Sequence, residues 1–111
     1  MKDEAFIQHM IDAISQIEKY TEKRDYEEFK NDTLLQDGVI RQMEILGEAA
    51  KQVSEKIKKD YQNISWEDAA GMRDRLIHGY FGIDVKIIWN TIENDLPELK
   101  QNLYEIKEEE F

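Results

Sequence analysis

The spacing of the apolar residues constrains this chain most: they step along it by threes and fours almost from end to end. Leu35, Val39, Met43, Leu46, Ala50, Val53 and Ile57 mark one such line. Side chains on a strand change face at every residue, so a line of this period belongs to a helix, and no window alternates convincingly like a strand. A second line, Ile7, Met10, Ile11, Ile14 and Ile17, predicts a first helix over about residues 3–22. Between the two lies a polar stretch around Thr21–Asp32, with room for a short helical turn near Tyr26–Phe29.

Ser65-Trp66-Glu67-Asp68 reads as the start of a third main helix, Ser65 capping it and the acids facing the positive end of its dipole; it should stop near Gly79. Asp84 can cap a fourth, with Val85, Ile88, Trp89, Ile92 and Leu96 inward. Pro97 removes a helical hydrogen bond, yet Leu99, Leu103 and Ile106 continue the stripe in phase, which favours one kinked helix over two. Glu108–Glu110 reads as a frayed tail. The expectation is an all-α, up-and-down bundle of four main helices, with a short fifth, in a single domain over residues 1–111. Gly47 and Ala49 lie off the long stripe and leave space for a second close neighbour.

No apolar run reaches the roughly 18–20 residues of a membrane helix, and the N-terminus has acids where a secretory signal has an apolar core. With no cysteine in the chain, these features point to a cytoplasmic protein away from membranes. The net charge of −10 argues against simple nucleic-acid binding. Its distribution weakens that objection. Residues 1–40 (five bases, ten acids) and 91–111 (two bases, seven acids) each carry −5, whereas 41–60 and 71–90 each carry +1.

One residue does not fit a plain bundle. On a continuous third helix at about 100° per residue, Arg73 falls inside the stripe of Trp66, Ala69, Ala70, Leu76, Ile77 and Tyr80. A guanidinium there is either buried beside an acid such as Glu44 or Glu48, or opens onto a cleft or subunit interface. Asp74 lies one turn before His78 and can fix its tautomer or raise its pKa. Arg73 and His78 stand about 140° apart on an ideal helix. They meet at one phosphate only if the arginine swings round, the helix loosens near Gly79, or a second subunit contributes. The chemistry open to them is RNA cleavage, an imidazole moving the 2′-hydroxyl or leaving-group proton and a guanidinium gripping the phosphate. Tyr80 could stack on a base or donate a hydrogen bond to phosphate.

The run Arg73-Asp74-Arg75-Leu76-Ile77-His78-Gly79-Tyr80 resembles the R-x4-H-x-Y motif of the HepT-like branch of HEPN domains. Val39–Lys51, Ile64-Ser65-Trp66 with Gly71-Met72-Arg73, and Asp95–Leu99 are similar to other blocks of that family, so the resemblance covers nearly the whole chain. It implies a helical homodimer with the motif lining the cleft between subunits. It also implies metal-independent endoribonuclease activity without a cofactor, on RNA (tRNA or mRNA) and not DNA. Arg73 and His78 match the catalytic pair, and Asp74 meets the family's rule of a polar residue after the arginine. The implied partner is a minimal nucleotidyltransferase acting as antitoxin, with Tyr80 as the acceptor of AMP. A second function class stays open: a non-catalytic helical dimer that binds, or is modified by, that nucleotidyltransferase.

Other candidates read more plainly. His9 and Asp12 are one turn apart but lack a third metal ligand nearby, so no metal is expected. Lys51, Lys56, Lys58 and Lys59 alternate with acids as on a solvated face, with an RNA-guiding rim as the alternative. Trp66 and Trp89 sit on apolar stripes, as core or dimer anchors.

Overall fold

The computed structural model describes residues 2–76 and 84–111, the Arg75 side chain excepted. Among these residues all regular structure is helical. In chain order the helices are α1 (Lys2–Thr21), α2 (Tyr26–Lys30), α3 (Thr33–Gln52), α4 (Glu55–Asp60), α5 (Trp66–Ala70), α6 (Met72–Leu76), α7 (Val85–Asn90) and α8 (Leu96–Glu110). The predicted all-α class holds, but two expected long helices are broken. None of the helices is long and apolar enough to cross a membrane.

α1 and α3 form the frame, packed on each other more extensively than any other pair. Ile7, Met10, Ile11, Ile14 and Ile17 of α1 are buried, as are Val39, Met43, Leu46 and Ala50 of α3. α8 lies against α1, α5 and α6 against α3, and α2 against α3 and α7. The α2 turn expected near Tyr26–Phe29 is a capped helix: Asp25 accepts from the Glu28 N–H, and Glu28 accepts from the Asp25 N–H. Gln36 is buried and donates to the carbonyls of Phe29 and Lys30, satisfying the end of α2.

The stripe through Val53 and Ile57 does not belong to one helix. The chain turns extended at Val53 (ψ 139°), and Ser54 starts α4 by accepting from the Ile57 N–H. Asp3 fixes the break: its Oδ1 accepts from the Ser54 N–H at 2.8 Å and its Oδ2 from the Ser54 hydroxyl at 2.6 Å. Val53 and Ile57 stay buried because the break is a hinge in a continuous apolar line.

The third main helix is broken too, at Gly71, whose N–H closes α5 on the Glu67 carbonyl before α6 begins. Ser65 sits at the head of α5 but makes no side-chain capping bond, against expectation. The expected stop at Gly79 lies outside the described residues. From α6 to α7 the flanks meet, Asp84 N–H donating to the Leu76 carbonyl at 3.4 Å. Asp84 caps α7 as predicted.

The region around Pro97 is continuous helix from Val85 to Glu110. Over Thr91–Asp95 the backbone widens to a π turn, with the Leu96 N–H reaching back five residues to the Thr91 carbonyl. That widened turn brings Pro97 into the opening of α8, where its missing N–H is least costly. The Glu108–Glu110 run is helix, not a frayed tail: Tyr61 Oη lies 2.8 Å from Glu109 and 2.7 Å from Glu110. Both carboxylates favour the protonated phenol and push its pKa up. Trp66 and Trp89 are core residues, Trp66 Nε1 donating to the Tyr61 carbonyl and Trp89 packing on Phe29 at 5.3 Å between ring centroids.

Candidate active site

α3 carries Arg41, Glu44, Glu48 and Lys51 at steps of three, four and three, so all four face the same side. α5 and α6 approach that side closely because Gly47 lies beneath them. A Cβ built on Gly47 would stand 2.9 Å from the Ala70 carbonyl oxygen and 3.4 Å from that of Ala69. The expectation that Gly47 admits a close neighbour is met by the backbone of α5.

The break at Gly71 decides where Arg73 points. The inward line runs Trp66, Ala69, Met72, Leu76, all buried, so Met72 occupies the core position that a continuous helix would have offered near Arg73. The Arg73 side chain is 49% exposed. Of the two placements open to it, burial beside an acid or opening onto a cleft, it takes the second, with an acid at its side. Arg73 Nε lies 2.9 Å from Glu44 Oε2, and Nη1 lies 3.5 Å from Asp74 Oδ1. Glu44, one of the two acids expected to receive it, is the one that does. The second, Glu48, pairs with Lys51 at 3.3 Å.

These groups line an open cavity of about 290 Å³ between α3 and the α5–α6 elbow. Arg41, Lys51 and Arg73 bring three cations to it, and Glu44, Glu48 and Asp74 three carboxylates. Glu44 is 35% exposed and engages Nε, the inner edge of the guanidinium, whereas the Asp74 carboxylate is 83% exposed and touches Nη1 at the limit of contact. Glu44 thus balances the guanidinium charge at its inner edge as an ion pair, and the long Asp74 contact is readily exchanged for another oxyanion. A phosphate is the natural guest for such a fork.

Of the predicted site residues, the structure brings Arg73 and Asp74 to this cavity. His78 and Tyr80 lie outside the described residues, as does the proposed Asp74–His78 contact. Sequence reasoning did not assign Arg41 to the site and offered Lys51 only as part of an RNA-guiding rim; the signal available was their register with Glu44 and Glu48 on one face of α3. The remaining lysines behave as a solvated face, Lys56 pairing with Asp60 at 3.0 Å and Lys58 standing 3.9 Å from Glu55. His9 turns its ring toward Phe6, and Asp12 accepts from Gln8, so the two do not converge.

The family model described as "Ribonuclease HepT-like" matches residues 10–106 of this chain. The chain belongs to the HepT-like ribonuclease family. Among its relatives is a protein of Thermococcus cleftensis named "Probable ribonuclease HepT", 41% identical over 95 residues, which are 86% of this chain and 86% of the relative. A "Putative RNase" of Methanocaldococcus jannaschii is 38% identical over 102 residues, 92% of this chain and 88% of the relative. A longer protein of the same organism, named "Gamma-glutamylcyclotransferase and putative RNase", is 38% identical over 104 residues. Those residues are 94% of this chain and 47% of that protein, so the HepT-like chain spans about half its length. No solved structure matches at a significant level. Membership supports a ribonuclease function for the chain.

Proposed function

We propose that this chain is a metal-independent endoribonuclease and the toxin of a pair whose antitoxin is a minimal nucleotidyltransferase. One observation carries the reading: Arg73 opens onto a cleft, held at its inner edge by Glu44, in a chain of a ribonuclease family. In the proposed reaction the fork of Arg73 binds the scissile phosphate and balances charge growing on its oxygens. The ribose 2′-oxygen attacks phosphorus as its proton is taken up, the bond to the 5′-oxygen breaks, and that oxygen leaves with a proton. His78 serves one of these proton transfers. Asp74 orients His78, and a second subunit completes the cleft as a homodimer. The products are a 2′,3′-cyclic phosphate and a 5′-hydroxyl.

Tyr80 is the proposed acceptor of AMP from the nucleotidyltransferase. A phosphate group added close to Arg73 would occupy the guanidinium and exclude RNA. Controlled expression tests both halves of the reading. Wild type is expected to arrest growth, Arg73→Ala and His78→Ala are not, and the cognate nucleotidyltransferase should rescue wild type but not Tyr80→Phe. Arrest that persists in both site variants would contradict it.

A second reading has its own observation: the cations of the cleft are already countered by Glu44, Glu48 and Asp74. A site so neutralised suits a non-catalytic module that serves the nucleotidyltransferase as substrate or scaffold. Absence of growth arrest, with Tyr80 still modified, would favour it.

A further inference from the structure

The cavity at Arg73 has a neighbour across α3. On the other flank of that helix lies a second hollow of about 270 Å³, lined by Phe6 and His9 of α1 and by Arg41, Glu44, Glu48 and Gln52 of α3. Arg41, Glu44 and Glu48 line both hollows, so the two share a rim along α3. His9 is exposed, and Phe6 is partly buried against the core. Their rings stand 6.1 Å apart at 79°. Neither residue has a part in the reaction described above.

We propose that this second hollow is a nucleobase subsite. It takes the base of a nucleotide next to the bond held at Arg73, and so rests on the ribonuclease reading. Its volume lies below the roughly 300 Å³ at which pockets for drug-sized ligands begin, which suits one flat ring. Two nearly perpendicular aromatic rings form a corner: a base stacked on one presents its edge toward the other. Stacking on aromatic side chains is how proteins hold the splayed bases of single-stranded RNA. The Gln52 amide offers both a donor and an acceptor to a base edge, and the carboxylates on the shared rim accept from exocyclic amino groups or a 2′-hydroxyl. Arg41, common to both hollows, is placed to follow the backbone from the base to the phosphate at Arg73.

The test alters the RNA rather than the fold. His78→Ala protein, which leaves RNA uncut, is titrated by fluorescence anisotropy with labelled single-stranded RNAs in which one nucleotide at a time is abasic. One position within two nucleotides of the bond that wild type cleaves should lose about tenfold in affinity. Adding His9→Ala should weaken the intact RNA similarly and abolish the further loss at that position. RNA binding that depends on Arg73, with an abasic profile that is flat or unchanged by His9→Ala, overturns the subsite and leaves the ribonuclease reading standing. If wild type neither binds nor cleaves RNA, both fall together. If His9→Ala changes the sedimentation of the protein but not the abasic profile, the face belongs to subunit pairing and the subsite is refuted.

Discussion

Two glycines of α3 offer a paired test of how the site is positioned. In an open helix, Gly→Ala stabilises by about 1 kcal/mol because alanine has fewer unfolded conformations to lose. At Gly38 the new methyl would meet Tyr20 ring carbons at 3.5 and 3.6 Å, an ordinary contact, so Gly38→Ala should gain up to about 1 kcal/mol. At Gly47 it would meet the Ala70 carbonyl oxygen at 2.9 Å. That oxygen belongs to the backbone of a packed helix and can retreat only by moving α5. Overpacking of this kind costs about 1–3 kcal/mol, which offsets the propensity gain and leaves Gly47→Ala neutral to about 2 kcal/mol destabilised. Urea midpoints at unchanged m-value report the difference between the two variants. A displaced α5–α6 elbow should also draw Arg73 from Glu44, so Gly47→Ala should lose cleavage activity beyond its loss of stability. Equal stabilisation by both substitutions would refute the claim that α5 rests on Gly47.

Three further outcomes follow from the same contacts. Glu44→Ala should change stability by no more than about 1 kcal/mol, because the Arg73–Glu44 pair is partly exposed, yet weaken RNA binding or turnover, with Glu44→Gln losing as much because the contact is one of charge; wild-type RNA affinity and turnover in both variants would remove Glu44 from the site. Ser54→Ala should cost about 1–2 kcal/mol by removing the α4 cap and one of the two bonds to Asp3, measured by thermal unfolding. The Leu35 N–H first, and then Arg24, hold the Asp32 carboxyl below its ordinary value of 3.8. A depressed folded pKa stabilises above the unfolded value and is lost as pH falls through the folded one, so the advantage of wild type over Asp32→Asn should be full near neutrality and shrink below about pH 4.

The long periodic stretches were the legible part of this fold. α1 and the frame of α3 follow from stripes of period three and four, and the cap at Asp84 was expected, whereas the equivalent carboxylate caps at Asp25 and Asp32 were not. The breaks were not legible, for a physical reason. Val53 and Ile57 remain in phase across the turn at Ser54, and what selects the turn is Asp3, a partner 51 residues away. Gly71 breaks the motif helix without disturbing its apolar text, and that break decides between the two placements the sequence left open for Arg73, in favour of the cleft. The choice of Glu44 over Glu48 as its partner likewise depends on how α5 sits on Gly47, a tertiary contact. Pro97 signalled trouble in its helix, and the answer, a widened turn upstream, lies in the backbone alone. His78 and Tyr80 rest on the resemblance of the motif and on family membership.

The central claim is that Arg73 and His78 cut RNA without a metal. It is met most directly by incubating purified wild type, Arg73→Ala and His78→Ala with total and transfer RNA in EDTA. The account predicts fragments ending in 2′,3′-cyclic phosphate from wild type alone. RNA left intact by an unmodified wild-type dimer, or cut equally by all three proteins, would contradict it.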